Sequence, residues 1–228
     1  MIDLIFLGCG AGYKPSLGPT SAYFRLGKRL YVIDCGTSAF ERLERADAFR
    51  GINSVTVFLS HLHADHAGSL SIFLDYCKDI LHITPFLIHP GKAVLQFLDL
   101  AGVSRETYIW REGYEKPDEN GILAEFFPAD HVPGMDCYGY LIAEGSTDNF
   151  YFSGDAAGIP QKILERLFDG SLKRIYQDTA SGNSKYHCPL EKLKTLAPEA
   201  YRSRVYCVHL DTDRTEIFME AGFKTLAA

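Results

Sequence analysis

Residues 60–69 read SHLHADHAGS, and three histidines with one aspartate fall between His61 and His66 on an otherwise small or apolar stretch. So many ionisable groups placed together would form a costly desolvated polar cluster unless they held a cation. The stretch follows VTVFL at 55–59, an apolar, β-branched run that reads as a strand. The same arrangement recurs along the chain. ILAEFFPAD leads to His131, NFYFSG to Asp155 and RVYCV to His209. In sheet-based enzymes functional groups gather where strands give way to loops. One polar residue after a strand means little, but this repetition is a pattern.

His61, His63, Asp65, His66, His131, Asp155 and His209 are seven candidate metal ligands, too many for one tetrahedral ion and about right for two. Imidazole nitrogen and carboxylate oxygen without thiolate suit Zn, Mn or Fe(II). In a loop entering a helix, His61 and His63 can face one ion while Asp65 and His66 turn to a second. The expected cofactors are therefore two divalent metal ions.

Around these residues the chain alternates short apolar runs with Gly, Pro, Asn and Asp. Strands are predicted at 2–7, 21–26, 29–34, 55–59, 85–89, 122–127, 137–143, 149–153, 173–177 and 204–208. Helical periodicity falls at 38–48, 67–78, 91–101, 160–168, 189–197 and 213–221, with Pro160 and Pro189 each at a first helical turn. Hairpins early and strand–helix alternation later predict an α+β fold: two mixed β-sheets with helices on their outer faces, an αββα sandwich. The stretch 104–121, SRETYIWREGYEKPDENG, is polar and turn-rich and reads either as a loop near a ligand or as a surface connection around Trp110.

The chain of 228 residues, 46% hydrophobic and 23% charged, is long enough for a sizeable core and is read as one domain, 1–228. A net charge of −6 disfavours RNA as a partner and argues against DNA. No apolar run reaches the ~20 residues of a membrane span, and MIDLIFLGCGAG lacks a basic n-region, so the expectation is a cytoplasmic protein with no membrane partner. Cys9, Cys35, Cys77, Cys137, Cys188 and Cys207 form no CxxC pair and are expected to be reduced and mostly buried.

HxHxDH followed by Gly, with His131, Asp155 and His209 at later strand ends, resembles the metallo-β-lactamase superfamily, and the resemblance spans essentially the whole chain. That superfamily has the αββα fold reached above. The true lactamases lack a histidine at the place of His66 and usually use a cysteine ligand, and flavodiiron members have glutamate at the place of His63. SGDAAGIPQKILERL and IYQDTASGNSKYHCPLEKL resemble the branch that holds ribonuclease Z and the PhnP-type phosphodiesterases. Ribonuclease Z usually carries a tRNA-gripping arm between the ligands matching His131 and Asp155, but only 24 positions separate them here. The PhnP-type cysteine cluster near the start is also missing, since GCGAGYKPSLGPTS has one cysteine.

The resemblance implies that His61, His63 and His131 hold one metal, that Asp65, His66 and His209 hold the other, and that Asp155 bridges them. It implies a hydroxide between the metals as nucleophile, with Asp65 among the catalytic groups. His187 would protonate the leaving alkoxide and Asp178 would orient it, although by position alone His187 reads as a surface histidine before a proline-capped helix. The implied substrate is a small or cyclic phosphodiester, and the branch also implies a homodimer. Asp34 is expected to brace the site by hydrogen bonds, Ser16 and Thr20 to offer hydroxyls near it, and His82 and His89 to be structural. The GCGAG run lacks a following GK[ST] and reads as a tight turn. Three rivals stand beside this reading. An RNase Z-like endoribonuclease would process structured RNA. A glyoxalase II-type thioesterase shares the whole HxHxDH motif and does not need His187. A non-catalytic metal-binding scaffold is disfavoured because all seven ligands are present.

Overall fold

The computed structural model of the protein describes residues 2–226 apart from Glu115 and Thr147. A first sheet pairs six strands in chain order: β1 (Ile5–Gly8), β2 (Ser21–Leu26), β3 (Arg29–Ile33), β4 (Ser54–Phe58), β5 (Phe86–Ile88) and β6 (Ile109–Arg111). Helices α1 (Ala39–Arg45), α2 (Ala64–Ala67), α3 (Leu70–Asp79) and α4 (Ala93–Leu100) lie between its strands in sequence. The second sheet contains β7 (Ile122–Pro128), β8 (Tyr138–Glu144), β9 (Asp148–Phe152), β10 (Arg174–Ala180), β11 (Cys188–Pro189), β12 (Val205–Val208) and β13 (Lys224–Thr225). Its order is β13-β12-β10-β9-β8-β7, with the short β11 added on β10. Helices α5 (Gln161–Phe168), α6 (Leu190–Leu196), α7 (Glu199–Arg202) and α8 (Glu216–Glu220) connect its later strands.

Strand alternation builds the layers. Along β3, Leu30 and Val32 join a core shared with Leu43, Phe73, Leu74 and Leu98 of the helices, whereas Tyr31 and Ile33 join a second core between the sheets. Ile175 on β10 packs with Ile163 and Leu193 of α5 and α6, while the next residue, Tyr176, faces the other sheet. Three apolar layers among four layers of structure make the αββα sandwich, as expected. All six cysteines are free and buried.

The differences from the sequence reading are local. Where one helix was expected at 67–78, α2 ends and α3 begins because Ser69, at φ −106° and ψ 9°, leaves the helix after Gly68. Ser69 N–H donates to the Cys35 carbonyl at 3.0 Å and its hydroxyl donates to Gly36 at 2.6 Å, which ties the break to the end of β3. Pro160 and Pro189 stand one residue ahead of their helices in extended backbone, at φ −58° and −60°. Part of 104–121 is the edge strand β6, whose Trp110 Nε1–H donates to the His89 carbonyl at 2.9 Å. The same stretch, with β7, walls a cleft of about 980 Å³ lined by Trp110, Arg111, Tyr114, Lys116 and Phe126; none of the clustered histidines lines it. Among the described residues no helix is long and apolar enough to cross a membrane.

Candidate metal centre

Parallel pairing decides which strand ends meet. β4 lies parallel to β3, and β10 parallel to both β9 and β12, so the residues after their C-terminal ends emerge together. His61, Asp155 and His209 follow β4, β9 and β12, and Asp178 lies within β10. α2 starts immediately after His63 and turns Asp65 and His66 inward.

Two groups result. His61 Nε2 lies 3.0 Å from His63 Nδ1, and His131 Nε2 lies 3.2 Å from the same atom. Asp155 Oδ2 completes this group at 3.8 Å from His61 Nε2 and 3.6 Å from His131 Nε2. In the second group His66 Nε2 is 3.5 Å from Asp65 Oδ2 and 3.0 Å from Asp155 Oδ1, and His209 Nε2 is 3.2 Å and 3.3 Å from the same two oxygens. Each Asp155 oxygen therefore serves one group. All seven residues expected from the motif are brought together.

The rings are aimed by what their other nitrogens do. Asp34 accepts from Ser60 N–H at 2.7 Å, from the Ser60 hydroxyl at 2.8 Å and from His66 Nδ1–H at 2.7 Å. Ser60 Oγ accepts in turn from His61 Nδ1–H at 3.0 Å. His131 Nδ1–H donates to the Tyr186 carbonyl at 3.3 Å. These bonds aim Nε2 of His61, His66 and His131 at the centre. Donor atoms converging to about 3 Å repel unless a cation, metal ion or proton, lies between them, and His66 Nε2 and Asp155 Oδ1 are both buried at this centre, 3.0 Å apart. The donor set therefore fits two divalent ions, one on His61, His63, His131 and Asp155, the other on Asp65, His66, His209 and Asp155.

Burial sets the charges of the two groups apart. It holds His61 and His131 below the ordinary histidine range. Burial also opposes charge on His66 and His209, but carboxylates outweigh it. Asp155 and Asp34 hold His66 well above the usual range, and Asp155 and Asp178 push His209 up to about 10. Asp155 is fully buried, yet His209 and His66 keep it well below the usual carboxylate range.

Beside the second group stands the pair picked out downstream. His187 Nδ1–H donates to Asp178 Oδ2 at 2.8 Å, and its ring stacks on His209 with centroids 5.0 Å apart. Asp178 is fully buried and held by Ala156 N–H at 2.9 Å, while the His187 side chain is 31% exposed. It is therefore no ordinary surface histidine. Burial would lower its pKa, but the bond to Asp178 raises it above the usual range.

Other expectations resolve clearly. Asp34 braces the site. Thr20 acts through backbone, donating its hydroxyl to Gly10 at 3.1 Å and accepting from His209 N–H at 3.0 Å. Ser16 donates to Asp213 instead, at 2.8 Å. His89 is buried and bonded to the Leu59 carbonyl at 2.9 Å, and His82 is exposed, so neither joins the cluster. Sequence reasoning did not single out Ser60, which is one residue before the motif and holds two of its rings. It also missed the meaning of two glycines. A Cβ on Gly12 would meet Asp65 Oδ2 at 2.8 Å, and one on Gly36 would collide with the Asp65 carbonyl oxygen. Asp34 and His209 both hold left-handed backbone, at φ 59° and 55°, a strained conformation for residues with side chains.

The family model described as anti-Pycsar protein Apyc1 matches residues 2–97 and 93–228. The chain belongs to the Apyc1 family. Apyc1 of Paenibacillus harenae is 25% identical over 225 residues, covering 89% of this chain and 87% of that protein. Ribonuclease Z of Bacillus mycoides is 24% identical over 212 residues, covering 84% of this chain and 66% of the ribonuclease. Among solved structures, the metallo-β-lactamase fold protein YhfI from Bacillus subtilis superposes with a TM-score of 0.77 at 14% identity, covering 99% and 95% of the two chains. A diphosphatase of the PhnP family superposes at 0.72 with 18% identity, covering 98% and 94%. This Apyc1-family chain is thus a metallo-β-lactamase-superfamily hydrolase, as its motif implied.

Proposed function

We propose that the protein hydrolyses a small or cyclic phosphodiester with two divalent metal ions, Zn or Mn being the best matches to its ligands. His61, His63 and His131 would hold one ion, Asp65, His66 and His209 the other, with Asp155 shared. Such ions supply a hydroxide nucleophile near neutral pH and neutralise charge building on phosphoryl oxygens.

The chain's own groups supply the rest. Asp178 fixes the His187 imidazole through Nδ1, which leaves Nε2 to carry the proton that the departing alkoxide needs. This pair is the observation that carries the reading, because hydrolysis of a thioester, with its good leaving group, does not need such an acid. Two features favour a small substrate over structured RNA. The chain between His131 and Asp155 is consumed by the β8–β9 hairpin, which leaves no extension to grip a polyanion. Asp130, Asp136 and Asp211, all exposed, stand beside the ligand-bearing segments and would repel a long phosphate backbone.

The test is metal analysis of the purified protein with turnover of bis-aryl phosphates, 2′,3′- and 3′,5′-cyclic nucleotides and S-lactoylglutathione. Turnover of diesters is the expected result. Hydrolysis of the thioester alone would overturn the proposal.

A further inference from the structure

Most large side chains that reach the surface keep part of themselves covered. Tyr13 is fully exposed. Its position is not that of a loose tip. Lys14 N–H donates to the Ala11 carbonyl at 2.8 Å and closes a turn with Gly12 and Tyr13 at its apex. Ala11 N–H donates to Leu210 at 3.0 Å, next to His209. Lys14 Nζ and Ser16 Oγ reach the same Asp213 carboxylate at 3.3 and 2.8 Å. The turn also rests on the metal centre, since the bare α-carbon of Gly12 leaves the space into which Asp65 Oδ2 fits. A rigid turn therefore presents an uncovered aromatic ring one residue from a contact with Asp65.

A second tyrosine stands at the other group. Tyr186 accepts from His131 Nδ1–H through its carbonyl, its ring lies 6.2 Å from the His131 ring, and Lys185 Nζ lies 5.3 Å from the Tyr186 centroid. The Asp65 group thus has Tyr13 one residue from its Gly12 contact, and the His131 group has Tyr186 bonded to it. Tyr186 is partly covered by its surroundings, and Tyr13 has nothing on it.

We propose that Tyr13 is a specificity-determining residue whose ring packs on a planar aryl or nucleobase ring in the substrate's non-leaving ester. The proposal rests on the phosphodiesterase reading. A phosphoryl group anchored between the two carboxylate–histidine groups projects one ester toward the leaving side, where His187 waits. The other ester is then free to reach the Ala11–Lys14 turn, which meets the same centre where Gly12 faces Asp65. A planar ring there gains stacking area and loses water from both faces without any hydrogen-bond requirement, so the contact selects for flat apolar esters and tolerates different rings.

Two diesters with the same leaving group test this: bis(4-nitrophenyl) phosphate and methyl 4-nitrophenyl phosphate. Tyr13→Ala is expected to raise KM for the aryl diester by about five-fold or more, the low end for an aromatic stack. KM for the methyl diester, kcat for both and bound metal should stay as in the unmodified protein, and Tyr13→Phe should restore the aryl KM. An equal change for both diesters, no change for either, or loss of metal would overturn the assignment of Tyr13 while leaving the phosphodiesterase reading intact. If the unmodified, metal-loaded protein turns over neither diester, the reading and the assignment fall together.

Discussion

Asp178 binds His187 at 2.8 Å through one carboxylate oxygen, and its other oxygen stands 3.4 Å from Nδ1 of His209. One fully buried carboxylate thus lies against both a histidine of the candidate metal centre and the imidazole proposed to protonate the leaving group. Being built into β10, between β9 and β12, it holds His187 and His209 in a fixed relation, and in the proposed reaction that relation would set where the proton is delivered.

Replacing His187 with Ala should leave metal content unchanged and lower kcat for an alkyl diester by roughly 10²–10⁴. The loss should be much smaller for a 4-nitrophenyl ester, whose leaving group needs no proton. Metal analysis beside steady-state rates on the two esters checks both statements. Equal losses on the two esters would contradict the role.

The bond to Asp178 raises the His187 pKa, and the proton-donating form is the one below that pKa. Activity that depends on it should therefore fall as pH rises through the raised value. Asp178→Asn removes the negative charge, so the alkaline limb of kcat/KM should move to lower pH and the plateau should drop. A pH–rate profile for an alkyl diester, measured for both proteins, gives the comparison. An unmoved limb would mean that another group controls it.

Loading metal should expel protons unequally. Burial holds the pKa values of His61 and His131 low, while neighbouring carboxylates hold His66 high and push His209 up to about 10. The group containing His66 and His209 must therefore release protons when it fills, and its apparent affinity should rise with pH. Calorimetric titration in buffers of different ionisation enthalpy would show proton release on filling that group and little on the other. Without metal, the two raised histidines stabilise the fold fully below their unfolded value of about 6.5. That contribution is lost as pH climbs toward the His209 value of about 10, so the metal-free melting temperature should decline over this interval.

Gly36→Ala places a methyl group against the Asp65 carbonyl, which is backbone and cannot rotate aside. A destabilisation of about 1–3 kcal/mol is expected, as for other overpacked sites. The group containing Asp65 should also bind metal more weakly. Thermal unfolding with metal stoichiometry measures both. Unchanged values would show that the start of α2 can move freely.

The positions of the ligands were legible because the sequence marks strand ends sharply: VTVFL before His61 and RVYCV before His209 switch abruptly from apolar to polar. Asp178 was harder to place, since it lies inside a strand and its meaning comes from β10 being flanked by β9 and β12. Ser60 was illegible for a related reason. Its partner Asp34 is 26 residues away and is brought beside it only by the parallel pairing of β3 with β4. Strands such as Ile109–Arg111 and Lys224–Thr225 are too short to show any period, and they exist because a neighbouring edge templates them.

The left-handed backbone at Asp34 and His209 has a consequence for how this chain can change. Glycine would relax the backbone at either position, but at Asp34 it would strip the acceptor from Ser60 and His66. Relief of strain therefore pulls both positions toward glycine, while the hydrogen bonds at Asp34 resist it. Keeping His209 against that strain, and the ring that Asp34 aims, points to selection on activity. Such a chain, released from that demand, would decay first at these two strand ends while the sandwich persisted, an inert fold with its centre erased.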